Sequence, residues 1–392
     1  MREAPRWISA VSIGALAVLV LGSAQAQAPE RRLDKAEVSF PQEFGSVRGV
    51  RELPDGRVLV ADGMGQALVV LDLATGKADT IGRPGQGPEE YRQPDGLFPL
   101  PGDSTLLVDL GNGRLTVLGP DLSFGETSPI AQGQLGPGAM SIRLPAAVDS
   151  QGRIYYQQMG RMRPGGGLAD SASVMRWDRY TGTVDTVAQV KLPEVTTSQS
   201  GGRNERMVQM MPVPMSAQDG WAAGWDGWVA VARAGDYHVE WVRPDGRVIR
   251  GSANPYKPVR IGRAEKEAWV DGLQSSGLRV GVQNESGRIS TTFRRGGGGS
   301  RPDIDAYQWP EVMPAFRPRG IHATPAGDMW VERYVPADAP PTFDVFDRDA
   351  RLVRRVVLPE GRQVVGFGDG VVYLVRVDEF DLQWLERYRL ES

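Results

Sequence analysis

The chain has 392 residues, a formal net charge of −3, two histidines and no cysteine. Without a thiol it needs no oxidative folding and offers no thiolate to a metal. Without a basic stripe it lacks the electrostatic footprint of a nucleic-acid binder. Its 49 glycines and 29 prolines fall between strand-like runs, as expected of many short strands joined by turns.

The first segment reads as a secretory leader. Arg2 and Arg6 give it a positive start, Ile8 to Leu21 is apolar or small, and Ala24-Gln25-Ala26 presents small residues where a signal peptidase cuts. Cleavage is expected after Ala26. The apolar run is too short for a spanning helix, so residues 27–392 are expected to be exported as one domain with no membrane span, periplasmic or extracellular.

From there a phrase recurs: a turn with Gly, alternating apolar residues, a polar residue, a second turn and another strand. It reads DGRVLVADGMGQALVVLDLATGK at 55–77 and GDSTLLVDLGNGRLTVLGPDLSFG at 102–125. Shorter copies lie at 151–158, 226–248, 327–334 and 368–379. Strand units repeating in this way predict a propeller. Six blades follow, at about 47–81, 96–130, from 146, 220–254, from 320, and 363–390. The last is one strand short, and AEVSF (36–40) ahead of the first blade is unclaimed. Closing a propeller ring removes the open edge, so 36–40 is expected to pair with the C-terminal blade. The fold class is therefore all-β: a six-bladed β-propeller closed by an N-terminal strand, with a helical insertion between blades four and five.

That insertion, about 257–318, is the one segment that breaks the period. GRAEKEAWVDGLQSS (262–276) predicts a helix, with Ala264, Ala268, Trp269 and Leu273 near helical spacing. A hairpin over LRVGVQNESGRISTTF, a flexible RRGGGGS and the segment WPEVMPAFRP follow. Such insertions sit on one face of a ring, where they can cover the channel.

The phrase DGRVLVAD…ALVVLD, the loop IGRPGQGPEEYRQPDGL and the helix followed by WPEVMPAF resemble the secreted bacterial six-bladed β-propeller proteins related to NHL repeats. The resemblance covers roughly 36–390. It implies the six-bladed fold and carries no single activity.

Aligning the copies on their turn glycine places Asp62, Gln158, Arg233, Arg333 and Arg376 in one column, with Asp109 joining after one extra residue. At equivalent strand ends they would make a polar ring at the channel mouth, and three arginines there suit an anionic ligand. The competing reading is local: the aspartates cap turns and the arginines close ion pairs.

Other features read as structure. The loop 82–91 lacks the Lys-Ser/Thr of a phosphate loop and joins two strands. His238 and His322 are too few for a His-rich metal centre. The methionines of MVQMMPVPM (207–215) suit packing better than cuprous ion. Trp221, Trp225, Trp228 and Trp241 suit the space between blades better than a sugar face. No GxSxG occurs.

No cofactor is called for. Turn carboxylates are compatible with calcium, but no calcium-loop spacing is present. The expectation is a monomeric, non-enzymatic binding or scaffold module that holds a protein, peptide or small anionic ligand, with neither nucleic acid nor membrane as partner. The alternative is a propeller hydrolase or lyase with a metal or carboxylate centre at the channel.

Overall fold

The computed structural model describes residues 28–133, 140–160, 168–200, 207–285, 288–295 and 301–390. The leader and its cleavage site, the loop 161–167 and the glycine run 296–300 lie outside the described residues.

Six antiparallel sheets form a β-propeller. From the inner strand outwards, blade 1 is Val47–Glu52, Val58–Asp62, Ala67–Asp72 and Lys77–Ile81. Blade 2 is Pro94–Pro99, Thr105–Asp109, Arg114–Leu118 and Phe124–Pro129. Blade 3 is Ala147–Val148, Ile154–Gln157, Ser171–Trp177 and Val184–Lys191. Blade 4 is Gly220–Ala223, Val229–Arg233, His238–Val242 and Val248–Arg250. Blade 5 is Phe316–Ala323, Met329–Arg333, Thr342–Phe346 and Leu352–Val357. Blade 6 takes Arg362–Gly368, Val371–Val377 and Gln383–Arg389 from the C-terminus.

Its fourth strand is Val38–Phe44, paired antiparallel with Gln383–Arg389. The closing strand pairs with the blade the sequence assigns it to, but it begins two residues later than the expected 36–40 and runs four residues further. A further strand was not foreseen: Glu30–Arg32 adds in parallel to the outer edge of blade 5.

The recurring glycine has a stereochemical cause. Gly56, Gly102, Gly152, Gly227, Gly327 and Gly370 each occupy the turn between first and second strand with φ between +64° and +91°. Glycine is the residue that enters this left-handed region without steric cost.

The second strands are buried on both faces because each blade is sandwiched between two others. In VLVAD (58–62) the alternation sorts side chains to opposite neighbours. Val58 and Val60 join the cluster with blade 6, while Leu59 and Ala61 join the cluster with blade 2. Comparable clusters fill the other seams. This period-two sorting makes each buried strand a continuous apolar run.

Chain direction then fixes which end is decorated. In a four-stranded meander the outer strand finishes at the end where the next inner strand begins, so every blade-to-blade connection lies at one end of the ring. Those connections carry the Arg83–Pro84/Glu90–Tyr91 pair and the hairpins Ala131–Gly133/Met140–Ile142 and Val195–Ser200/Met207–Pro212. The longest holds a helix (Arg263–Ser276), a hairpin (Leu278–Glu285/Arg288–Arg295) and a 3-10 turn (Ile304–Ala306).

The helix has the expected span but another buried face. Val270 is fully buried and Trp269 meets Tyr307 and Trp309 edge-on at 5.3 and 5.5 Å, whereas Ala264, Ala268 and Leu273 are exposed. Two short residues cannot fill the gap over Met215, Met313 and Tyr334 that two indoles fill.

Phe40 is 1% exposed and lies in the seam between blades 6 and 1. Phe40→Ala should cost about 3–5 kcal/mol in urea unfolding and lower cooperativity by weakening ring closure. Unchanged unfolding would show that the ring closes without this strand.

Candidate functional site

The six column residues do lie at the insertion-bearing end, but each is engaged locally. Asp62 accepts backbone N–H groups from Gly45, Ser46 and Gly65, all at 2.8 Å. Asp109 accepts from Arg92 N (3.1 Å), Asn112 Nδ2 (2.7 Å) and Arg114 Nε (3.3 Å). Gln158 falls just past its strand, and its backbone N–H donates to Ser173 O at 2.9 Å. Arg233 pairs with Glu240 (2.6 Å) and Asp219 (2.9 Å), Arg333 with buried Asp344 (3.4 Å), and Arg376 with Glu386 (3.7 Å).

The three arginines thus have separate carboxylate partners, as the local reading expects. Each closes an ion pair within its own blade or on the connection beside it. Asp344 also accepts from Tyr237 Oη at 2.7 Å and Arg355 Nε at 3.0 Å, which ties blade 4 to blade 5. Burial, with the Asp344 carboxylate next, pushes the Tyr237 hydroxyl pKa well above its ordinary value and keeps it a donor.

A different set of residues stands at irregularities of the inner strands. The inner strands of blades 1, 2, 5 and 6 each break register at a residue followed by glycine: Arg48-Gly49, Asp95-Gly96, Arg319-Gly320 and Val365-Gly366. A β-bulge leaves its extra residue unpaired and re-aims the side chain. The bulge is widest in blade 5, where Arg317–Gly320 stand opposite Glu332 alone. The glycines are steric necessities here. A Cβ on Gly49 would lie 2.8 Å from Asp95 O in blade 2, and one on Gly320 would lie 2.3 Å from Glu332 Cβ.

The insertion completes this mouth from above. It leaves blade 4 and returns to blade 5, yet its hairpin docks on blade 2. Gln93 clamps Arg295 through Nε2–H to O (2.9 Å) and Oε1 to N–H (3.2 Å), and Arg295 forks onto Asp95 at 2.6 and 3.1 Å. Phe293 is buried in the cluster between blades 2 and 3. In a six-membered ring blades 2 and 5 are opposite, so the hairpin crosses the channel mouth.

Charge accumulates beneath it. Burial draws the Arg48 guanidinium below its usual pKa, with Asp95 opposing that shift and Arg295 adding to it. Burial likewise lowers Arg319, and Arg295 repels it further. Glu332 is pushed up by burial although Arg317, at 3.1 Å, pulls it back. Among the described residues no three His, Asp or Glu side chains form a metal-binding group.

Most of the remaining motif residues are packed, but Trp225 is 43% exposed, against the expectation that it fills space between blades, and the side chains of Met207 and Met210 lie outside the described residues. In loop 82–91, Glu90 accepts from Gly87 N and Arg83, while Tyr91 Oη bridges Leu68 N and Ile81 O. Met215 is buried, and Trp241 donates to Asp347 O at 2.8 Å. Trp221 donates to Gln157 at 3.0 Å, and Trp228 meets Trp241 edge-on. His238 is buried between Asp236 and Glu240. A cleft of about 540 Å³ beside the helix start and Arg301–Asp305 includes no inner-strand residue.

No family model and no curated protein matches this chain. Among solved structures it is similar to the calcium-binding protein regucalcin of Agrobacterium tumefaciens, at 11% identity over 93% of this chain and 97% of that one, with a TM-score of 0.41. It is also similar to a gluconolactonase of Xanthomonas campestris, at 11% over 91% of each chain and TM-score 0.43. A third is a virginiamycin B lyase of Staphylococcus aureus, at 11% over 89% and 99%, TM-score 0.37. What those proteins bind or act on stays with them. This chain is a six-bladed propeller, and no helix among its described residues is long and apolar enough to cross a membrane.

His322 packs its ring against Phe343 and Phe367, with centroids at 6.1 and 5.7 Å, and burial pulls its pKa from 6.5 to about 4. Because the folded-state value is the lower one, the unfolded chain takes up the proton first. Stability is fully present above about pH 6.5 and falls as pH drops towards 4, by up to about 3 kcal/mol. Urea unfolding at pH 7.5 and 4.5 should show a smaller pH difference for His322→Gln than for the unmodified chain. Equal differences would remove His322 as the titrating group.

Proposed function

We propose that this protein is an exported, NHL-repeat-like binding module that receives its ligand at the insertion-bearing end of the ring. The observation that carries the reading is the hairpin seated across the channel mouth, anchored by Gln93, Asp95 and Phe293 on the far side from its origin. In this reading a peptide, a small anionic molecule or a segment of a protein partner is held where the hairpin and the inner-strand bulges meet. Export is supported by the leader-like start with Ala24-Gln25-Ala26.

A second reading, a propeller hydrolase or lyase with a metal or carboxylate centre, draws on Glu332. A carboxyl held above its ordinary range by burial is suited to general acid–base work.

Native mass spectrometry and metal analysis of the protein isolated from its own cell envelope separate the two. The binding reading expects a bound organic mass that is lost when Phe293→Ala loosens the hairpin, with no turnover of ester or lactone substrates. Stoichiometric calcium, zinc or copper together with turnover abolished by Glu332→Gln would replace it with the enzyme.

A further inference from the structure

The hairpin Leu278–Glu285/Arg288–Arg295 is joined in the chain to blades 4 and 5, but the residues that receive it belong to blade 2. They lie about 200 positions away in sequence. Three contacts hold it. Gln93 takes the main chain of Arg295, donating to its carbonyl at 2.9 Å and accepting from its N–H at 3.2 Å. Asp95 takes the Arg295 guanidinium as a fork, at 2.6 and 3.1 Å. The seam of Leu110, Leu115 and Ile130 takes Phe293, whose ring lies 3.6 Å from where a Cβ on Gly113 would stand.

We infer that this part of blade 2 is a recognition site for an extended protein segment with an aromatic residue and an arginine two positions apart. The protein's own Phe293–Arg294–Arg295 is the resident occupant, and a partner bearing the same pattern takes its place. The clamp stands on the contacts above. Its consequence, release of the ligand that the hairpin covers, rests on the binding-module reading.

The contacts follow the pattern of strand recognition. Successive side chains of an extended segment point to opposite sides, so residues two apart share a face. Phe293 is buried and Arg295 is forked on blade 2, while Arg294 between them is exposed. Main-chain bonds hold any sequence in that conformation, and pockets for alternate side chains supply the selectivity. Here one pocket is apolar, and the other is a carboxylate that a guanidinium matches with two parallel bonds.

The receiving side is fixed from within blade 2. The Gln93 carbonyl accepts from Leu110 N at 2.9 Å, and its backbone N–H donates to Asp109 at 3.4 Å. Gln93, Asp95 and Gly113 lie in or next to the ladder strands Pro94–Pro99 and Arg114–Leu118, so the site keeps its shape when the hairpin leaves. A tethered occupant acts at an effective concentration on the order of millimolar. A partner in trans must therefore outbind it, which closes the site to partial matches.

The probe is a fluorescein-labelled peptide with the sequence of residues 288–295, RISTTFRR, followed by anisotropy. Whole protein carrying Phe293→Ala and Arg295→Ala has a vacated site, and should bind the peptide about tenfold or more tighter than the unmodified protein. Adding Gln93→Ala or Asp95→Asn should weaken that binding by a factor of about ten or more. A peptide carrying Phe293→Ala keeps the charge and should lose as much. Urea unfolding reports whether the vacated protein is folded. If it is not, hydrogen exchange on the unmodified protein decides. Excess RISTTFRR should speed exchange in Leu278–Glu285, because a lifted two-stranded hairpin is marginally stable, and the Phe293→Ala peptide should not.

The inference is overturned if the peptide neither binds the folded, vacated protein nor speeds that exchange. It is equally overturned if binding survives Gln93→Ala, Asp95→Asn or loss of the peptide's aromatic, which would mean diffuse charge. Dimers of the unmodified protein that Phe293→Ala abolishes would give the site to a second copy in place of a partner. If the peptide binds and no mass is recovered from the envelope, the clamp stands without the broader reading. If a recovered mass is lost with Phe293→Ala while the peptide never binds, the reading stands and the clamp falls.

Discussion

Blade 6 exists because the two ends of the chain hydrogen-bond to each other. Gln383–Arg389 would otherwise present an open sheet edge, and Val38–Phe44 covers it. Glu37 adds a charged clasp, accepting from Arg387 and Arg389. Those bonds hold its carboxyl below the ordinary range, the Arg389 contact foremost. The seam clusters all assume neighbours on both sides of every blade. If the ring opened at blade 6, the valines and leucines that alternate between two seams would lose one of them.

That closed ring gives the mouth its character. The inner strands stand so close that Gly49 lies against Asp95 O and Gly220 against Pro318 O. At those positions there is no space for a side chain, and charged groups enter beside them through bulges and through the insertion. Rigid scaffold with grafted loops is the usual division of labour in repeat folds. Here the graft crosses the ring and is bolted to the opposite side, so the roof belongs to the scaffold as well.

Much of the fold was legible because its cause is local. A left-handed turn demands glycine, and that glycine marks every blade. Counting strands then exposed the vacancy that Val38–Phe44 fills. Glu30–Arg32 was not legible: three polar residues at an outer edge bury nothing and show no alternation. The column of Asp62 to Arg376 was found by a fixed offset along second strands, and such ends meet their own turns and neighbours. The mouth is written instead in inner strands whose bulges differ in length, so no constant offset links Arg48 to Arg319. The hint was there in VRGV (47–50), PDGL (94–97) and PRGI (318–321), a charge beside glycine within three inner strands. Arg295 carried no sign at all, because only the folded path of the insertion brings it to Asp95.

The parallel strand Glu30–Arg32 on blade 5, followed by Val38–Phe44 on blade 6, has a kinetic meaning. Residues made early in synthesis dock on strands that are among the last, across separations of about 350 positions. Contacts that distant in sequence are slow to form, since loop closure precedes any reward. Folding of this chain therefore finishes at its N-terminus. Until the C-terminal strands are available, residues 28–44 must wait unpaired, and Pro29, whose carbonyl accepts from Arg355 N, stands at the last joint to close.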